Sequence, residues 1–228
     1  PSRIGIIKIL NKMGANINGI STDKIIIEGV EELQSADLDV IPDRIEAGTY
    51  LIAGAAMGEI TLNYCNPNHL DVLIEKLIQA GAIIDTSENS ISIKKANPIN
   101  PVDITTEVYP GFPTDLQAQW IALMALASGS SIVTDTVYHD RFTHIPELNR
   151  LGANIELRDN IAKINGVDHL IGAPVMSTDI RASAALILGA IMARGKTDIS
   201  RVYHIDRGYE LIEKKFQALG VDIVRKND

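Results

Sequence analysis

The sequence predicts an α/β fold turned inside out: three pseudo-symmetric repeats, with buried Ala-rich helices at the centre and sheets outside them. Three observations carry that prediction. Four helix-ending segments, LNKMGANI, LIQAGAII, LNRLGANI and FQALGVDI, place Gly14, Gly81, Gly152 and Gly220 at intervals of 67, 71 and 68 residues. A second series, Gly58, Gly129 and Gly195, interleaves with the first at intervals of 71 and 66, and two near-equal periods in one chain mark a structural repeat. The stretches AGTYLIAGAAM and LQAQWIALMALA are apolar nearly all round and rich in small residues. A helix apolar on every face is driven into an interior, and small side chains let three such helices approach closely.

The elements follow in chain order. Residues 1–42 hold only the second half of a unit: a helix from Ile4 to Met13, short strands and a loop around VEEL. The expected organisation is therefore a closing piece of a preceding domain over 1–42 and a three-repeat domain over 43–228. Each repeat opens with a buried helix, expected over about 45–57, 116–128 and 180–194. A strand comes next, in ITLNY, SIVTDTVY and TDISRVYHI, ending near Tyr64, Tyr138 and Tyr203. A second helix follows, over about 69–80, 145–151 and 208–219. Leu70, Leu73, Ile74, Leu77 and Ile78 give the first of these a single apolar face. Its closing glycine supplies the left-handed position of a C-cap. Short alternating strands such as ANIELRD and NIAKINGV complete a unit.

Composition narrows the function. The net charge of −8 and pI near 5.1 argue against nucleic acid or an anionic membrane surface as partner. No run reaches ~18 uninterrupted apolar residues, and PSRIGIIKIL lacks the apolar core of a signal peptide. One cysteine, Cys65, leaves no intrachain disulfide or multi-cysteine metal site, so a reducing cytoplasm is the simplest setting. Cys65 ends an apolar strand and reads as core. His139, His144 and His204 lack metal-ligand spacing and read as polar loop residues; no metal is expected. Glycine-rich phosphate loops are absent.

Asp43, Asp115 and Asp179 occupy corresponding positions, 72 and 64 residues apart, each at the mouth of a buried helix. N-capping alone would account for an aspartate there. The loops after the repeat tyrosine, however, differ: YCNPNHLD, YHDRFTHIPEL and YHIDRGYELI. Arg141 and Arg207 stand where the first copy has asparagines, and Arg44 and Arg181 lie beside Asp43 and Asp179. Each arginine could serve an ordinary salt bridge. If the three helix mouths converge, the same groups make a site for a small polyanion.

Four strings, PGFPTDLQAQ, PDRIEAGTY, TDIRASAAL and VYHIDRGYE, closely resemble the C-terminal half of the UDP-N-acetylglucosamine 1-carboxyvinyltransferase family of enolpyruvyl transferases. The resemblance runs over essentially the whole chain, repeat glycines included. It implies an inside-out α/β barrel domain, two such domains per enzyme, and an active site in the cleft between them. The implied reaction moves the enolpyruvyl group of phosphoenolpyruvate to the 3′-hydroxyl of UDP-N-acetylglucosamine with release of phosphate, without a cofactor, at the start of peptidoglycan synthesis. Carried over by position, Asp115 resembles the base that takes the hydroxyl proton. Arg141 and Arg181 resemble the residues that hold the phosphoenolpyruvate carboxylate, and Arg207 one that holds its phosphate. Asp179 resembles a neighbouring group that orients or relays a proton, and Val137 a backbone contact to the sugar nucleotide. Asp43 and Arg44 complete the candidate set. The chain departs from the family's Glu-Asn-Arg-Phe at His139 and Asp140. A loop cysteine, a phosphate-binding lysine and a further arginine belong to the other half, and Cys65 does not match that cysteine. The expectation is an incomplete enzyme whose partner is its missing N-terminal half. A non-catalytic anion- or partner-binding repeat domain and one half of a split enzyme stand as alternatives.

Overall fold

A computed structural model describes residues 2–20, 22 and 24–226, and they divide into two compact units, Pro1–Asp43 and Arg44–Asp228. In the first, helix α1 (Ser2–Lys12) precedes an antiparallel hairpin of β1 (Asn16–Asn18) and β2 (Ile26–Glu28). The Asn11 side chain clamps the turn, donating to the Ile17 carbonyl at 2.8 Å and accepting from the Ile17 N–H at 2.9 Å.

The second unit contains three copies of the repeat. The first copy runs α2 (Arg44–Met57), β3 (Glu59–Asn63), α3 (Asp71–Gln79), β4 (Ile83–Thr86) and β5 (Ser90–Lys94). The next runs β6 (Ile104–Thr106), α4 (Gln117–Met124), β7 (Ser130–Asp135), α5 (Ile145–Arg150), β8 (Asn154–Arg158) and β9 (Ile161–Asn165). The last holds β10 (Leu170–Ile171), β11 (Pro174–Met176), α6 (Ile180–Met192), β12 (Ala193–Arg194), β13 (Asp198–Ser200) and α7 (Ile212–Ala218). Asn149 clamps Ile155 with the same two bonds, at 2.9 and 3.1 Å, that Asn11 makes to Ile17. All four repeat glycines have positive φ, between 87 and 100°. The N–H after each returns to the carbonyl five residues earlier, as in Ala153 to Leu148 and Val221 to Phe216. That closure is a Schellman motif.

Helices α2, α4 and α6 pack on one another, with sheets β3-β5-β4 and β6-β7-β9-β8 outside them. Every residue of α4 is buried. A Cβ on Gly48 would lie 2.5 Å from Leu116 Cδ1, so the side chain that leads into α4 packs directly on the main chain of α2. A polar node joins the repeats there: Gln119 Nε2 donates to Thr49 Oγ1 at 3.1 Å and to Tyr209 Oη at 3.2 Å, and those two oxygens lie 2.8 Å apart.

Several boundaries differ from the sequence expectation. Helix α4 stops at Met124 rather than 128. The strand in SIVTDTVY stops at Asp135, because the N–H groups of Val137 and Tyr138 turn back to the Asp135 carboxylate at 3.0 and 2.8 Å. The strand in TDISRVYHI covers only Asp198–Ser200; Arg201 takes a left-handed φ of 57° and a 3₁₀ helix, Val202–Arg207, follows. Leu211, at φ 46°, delays α7 to Ile212.

The third repeat is also short of strands. Its parallel pairs β10–β12 and β11–β13 correspond to β6–β7. No described residue after Gly220 forms a strand, so β13 lacks the antiparallel neighbour that β9 gives β7. Beside it runs a groove of about 1110 Å³ whose walls include Ile187, Ile191, Ile199, Phe216 and Val221.

Gly152 and Gly58, one from each glycine series, should respond differently to alanine. Gly152 has φ 87° and a Cβ there would meet only Ile171 N, at an ordinary 4.0 Å, so Gly152→Ala is expected to cost about 1–2 kcal/mol of backbone strain. Gly58 has no positive φ and nothing near a Cβ, and Gly58→Ala is expected to leave the midpoint of urea unfolding nearly unchanged. Equal losses at both positions would contradict the assignment of the first series as left-handed caps.

Candidate active site

The loop ahead of α4 is pinned by its apolar members. Phe112 bridges to Thr106 and is 2 % exposed, with its ring edge-on to Trp120 at 5.5 Å. Pro113 then starts a 3₁₀ turn, Thr114–Leu116, that runs into α4. Asp115 caps neither helix. Its Oδ1 accepts from Arg141 Nη1 at 2.6 Å and from Arg181 Nε at 3.1 Å. All three side chains are about one-fifth to one-third exposed. Burial pushes the Asp115 carboxyl up, but Arg181 and Arg141 together outweigh it and hold the group below the usual carboxylate range.

The two arginines come from different repeats. Arg141 lies in the loop after β7, with its guanidinium carbon 4.9 Å from the Tyr138 ring centre and a longer contact to Thr114 Oγ1 at 3.4 Å. Arg181 occupies the first turn of α6, whose N-cap is Asp179: one carboxylate oxygen accepts from the N–H groups of Arg181 and Ala182 at 2.7 and 3.0 Å. The other accepts from Thr143 Oγ1 at 2.9 Å. Burial raises the Asp179 carboxyl, and these hydrogen bonds bring it below its ordinary value. Asp179 thus fixes the helix turn that carries Arg181.

The remaining candidates are placed more loosely. Arg207, at the end of the 3₁₀ helix, is exposed and forms no ion pair with a described residue. The next residue, Gly208, packs on Ile180, where a Cβ would come within 2.6 Å of Cδ1, so Arg207 sits beside the first turn of α6. Val137 is exposed, and its N–H is committed to Asp135. Arg44 is half-buried and lies 5.8 Å from the Tyr109 ring centre, on the loop ahead of Asp115. Asp43 is exposed, the last residue of the first unit. His139 and Asp140 are exposed.

One sequence expectation is corrected. His144 is a core residue, 1 % exposed, and its Nε2 has no partner among the described residues. Burial pulls the imidazole down to about 4, against the opposing pull of Asp179, because Phe142 and the start of α5 carry it inward. Cys65 is buried as core, and burial raises its thiol. Among the described residues no acidic, histidine and cysteine side chains cluster as a metal site, and no helix is long and apolar enough to cross a membrane. The sequence reading missed Thr114, Thr143 and Asp135. The repeated Thr-Asp dipeptide of PTD and STD was one available signal. A charge on the inward phase of β7, whose burial alternates down to Asp135, was another.

Residues 1–216 match the family model described as EPSP synthase (3-phosphoshikimate 1-carboxyvinyltransferase). The chain is 52% identical over 220 residues to a UDP-N-acetylglucosamine 1-carboxyvinyltransferase of Hydrogenovibrio crunogenus, covering 96% of this chain and 53% of that protein. A protein of the same name from Chlorobaculum parvum is 51% identical over 96% of this chain and 52% of its own. The chain therefore spans about half the length of these relatives. Among solved structures, the enolpyruvyl transferase NikO from Streptomyces tendae aligns with a TM-score of 0.84 at 26% identity, covering 95% of this chain and 52% of NikO. EPSP synthase from Acinetobacter baumannii shares the fold, with a TM-score of 0.76 at 17% identity over 97% of this chain and 55% of its own.

The Asp115 pairs set a pH dependence of stability. A carboxyl held low in the folded chain stabilises it fully above the ordinary carboxylate pKa of about 4, and that contribution disappears as the pH falls through the lowered value. Asp115→Asn is expected to lower the melting temperature by roughly 2–4 °C at pH 7, with the gap to the parent narrowing below about pH 4. A gap independent of pH would mean the ion pairs do not hold in solution.

Proposed function

Because the chain belongs to the EPSP synthase family of carboxyvinyltransferases, we propose that Asp115, Arg141 and Arg181 form its part of an enolpyruvyl-transfer site. In this reading the site acts on phosphoenolpyruvate and UDP-N-acetylglucosamine. The observation that carries the reading is the pairing itself: one carboxylate, excused from capping, held between guanidinium groups from two repeats. The names of the relatives that are 52% and 51% identical support the sugar nucleotide as acceptor.

The chemistry follows from these groups. The 3′-hydroxyl oxygen bonds to C2 of phosphoenolpyruvate while its proton passes to Asp115, and C3 takes a proton from an acid group on the other half of the site, which takes one back from C3 in the next step. The tetrahedral adduct then loses phosphate from C2 and a proton from C3, which restores the double bond. Each arginine uses part of its donor fork on Asp115 and keeps further N–H groups for the phosphoenolpyruvate carboxylate; a planar fork suits that task better than a lysine. Arg207, exposed beside them, takes the phosphate, and the Val137 carbonyl faces the sugar nucleotide. Asp179 keeps Arg181 in place. Fixed donors aimed at developing charge supply the electrostatic part of such catalysis.

The remaining groups come from the other half of the relatives' length, which is the partner in this reading. The open edge of β13 and the groove beside it support that, since an extended segment there would stand to β13 as β9 stands to β7. The lone buried thiol of Cys65 suits a reducing, cytoplasmic setting, and the reaction would serve peptidoglycan synthesis.

Phosphate release from the two substrates tests the reading. No turnover is expected from the chain alone. Turnover is expected once the remaining half of the Hydrogenovibrio crunogenus relative is supplied, falling about 10²–10⁴-fold in Asp115→Asn with KM little changed. A complemented chain that binds both substrates yet releases no phosphate would favour a non-catalytic anion-binding domain. Loss of binding with normal chemistry in Asp115→Asn would remove Asp115 as the base.

A further inference from the structure

Asp135, the last residue of β7, has no surface exposure, and its carboxylate accepts four hydrogen bonds. Oδ1 takes Thr106 Oγ1 at 2.6 Å and the N–H groups of Val137 and Tyr138 at 3.0 and 2.8 Å. Oδ2 takes Thr114 Oγ1 at 2.6 Å. The residue's main chain is held as firmly, with its N–H on the Asn160 carbonyl and its carbonyl on Asn160 Nδ2, both at 2.9 Å. All of these donors are neutral, and no arginine or lysine pairs with the carboxylate among the described residues. Burying a carboxylate among neutral donors is costly unless its lone pairs are satisfied, and here each oxygen serves a different segment. One holds the loop that leads to Arg141. The other holds the residue next to Asp115.

We infer that Asp135 is a positioning residue of the proposed site: its two carboxylate oxygens fix the loop carrying Arg141 against the turn carrying Asp115. This rests on the enolpyruvyl-transfer reading only for its effect on turnover. Asp135 is too deep to touch a substrate, so it acts through Thr114 and through the main chain of 136–138. Thr114 relays the constraint, because its hydroxyl donates to Asp135 and so presents a lone pair to Arg141 Nη1. An aliphatic side chain in either place would still fill the core but would leave the two segments free to slide.

Four variants separate this role from simple packing: Asp135→Asn, Thr114→Val, their combination, and Thr114→Ser, which keeps the hydroxyl. The first readout is the titration of the Asp115 carboxyl by ¹³C NMR in this chain, which needs no turnover. Thr114→Val changes no charge and is expected to raise the Asp115 midpoint by roughly half a pH unit or more, as Arg141 loosens; Thr114→Ser is expected to leave it in place. An unmoved midpoint in Thr114→Val, or an equal rise in Thr114→Ser, overturns the inference whatever the activity. The second readout is steady-state phosphate release from the complemented chain. Asp135→Asn and Thr114→Val are each expected to lower kcat about tenfold or more, and the double variant to fall little further, since groups acting through one contact are not additive. Losses that multiply in the double variant would also overturn it. If the parent releases no phosphate, the functional reading fails while the titration still decides this one.

Discussion

The close approach of three helices by their first turns is the constraint on which the rest of this molecule depends. Glycine at position 48 permits it, since any side chain there would meet Leu116, and the complete burial of the largely apolar α4 requires it. Within that buried interior Nε2 of Gln119 and the hydroxyls of Thr49 and Tyr209 have one another as partners. Such a network is favourable only when its members are in register and expensive otherwise. Apolar burial brings the helices together, and the polar node ties α2 and α4 to Tyr209 of the last repeat. The site follows directly, because fixing the first turn of α4 and that of α6 also fixes Asp115 against Arg181.

Repetition gave the molecule equivalent positions, and the positions have taken different duties. Asp179 does what an aspartate at a helix mouth ordinarily does, and accepts from the N–H groups of the first turn. At the corresponding place in α4 a 3₁₀ turn intervenes, and Leu116 stands at the cap with no side-chain bond. Asp115 is thereby released from capping, and two guanidinium groups take up its carboxylate. The difference lies in a few residues of loop, since PGFPT ahead of α4 is stiffened by prolines and by buried Phe112.

Much of this architecture could be read in advance. The glycines at 14, 81, 152 and 220 located their helix ends to within a residue, because the left-handed closure admits few alternatives. Apolar, small-residue stretches located the central helices. The aspartates and arginines that meet were visible as departures from the repeat. What escaped was set by tertiary contacts: the end of β7 depends on a carboxylate that recaptures two N–H groups, and the short strand at Asp198–Ser200 depends on a left-handed Arg201. His144 was misjudged because a histidine in a polar-looking loop gives no sign that Phe142 draws the segment inward. Asp135 was legible only by its phase in an alternating strand, a signal that requires knowing which face is inside.

The electrostatics of Asp115 connect these features to the proposed chemistry. Burial is the largest influence on its carboxyl and acts upward, and only the combined effect of Arg181 and Arg141 reverses it. With both partners in place its carboxyl lies below the usual carboxylate range. An anionic substrate that draws the guanidinium groups onto its own carboxylate would weaken that reversal and leave burial in control, so the carboxylate gains proton affinity as the ligand arrives. In the proposed chemistry the same exchange would let a chain of net charge −8 receive a polyanion, since local donors and not the total charge set the field in the site. On this reading Asp115 gains proton affinity as the phosphoenolpyruvate engages the arginines, and the order of events is built into its two ion pairs.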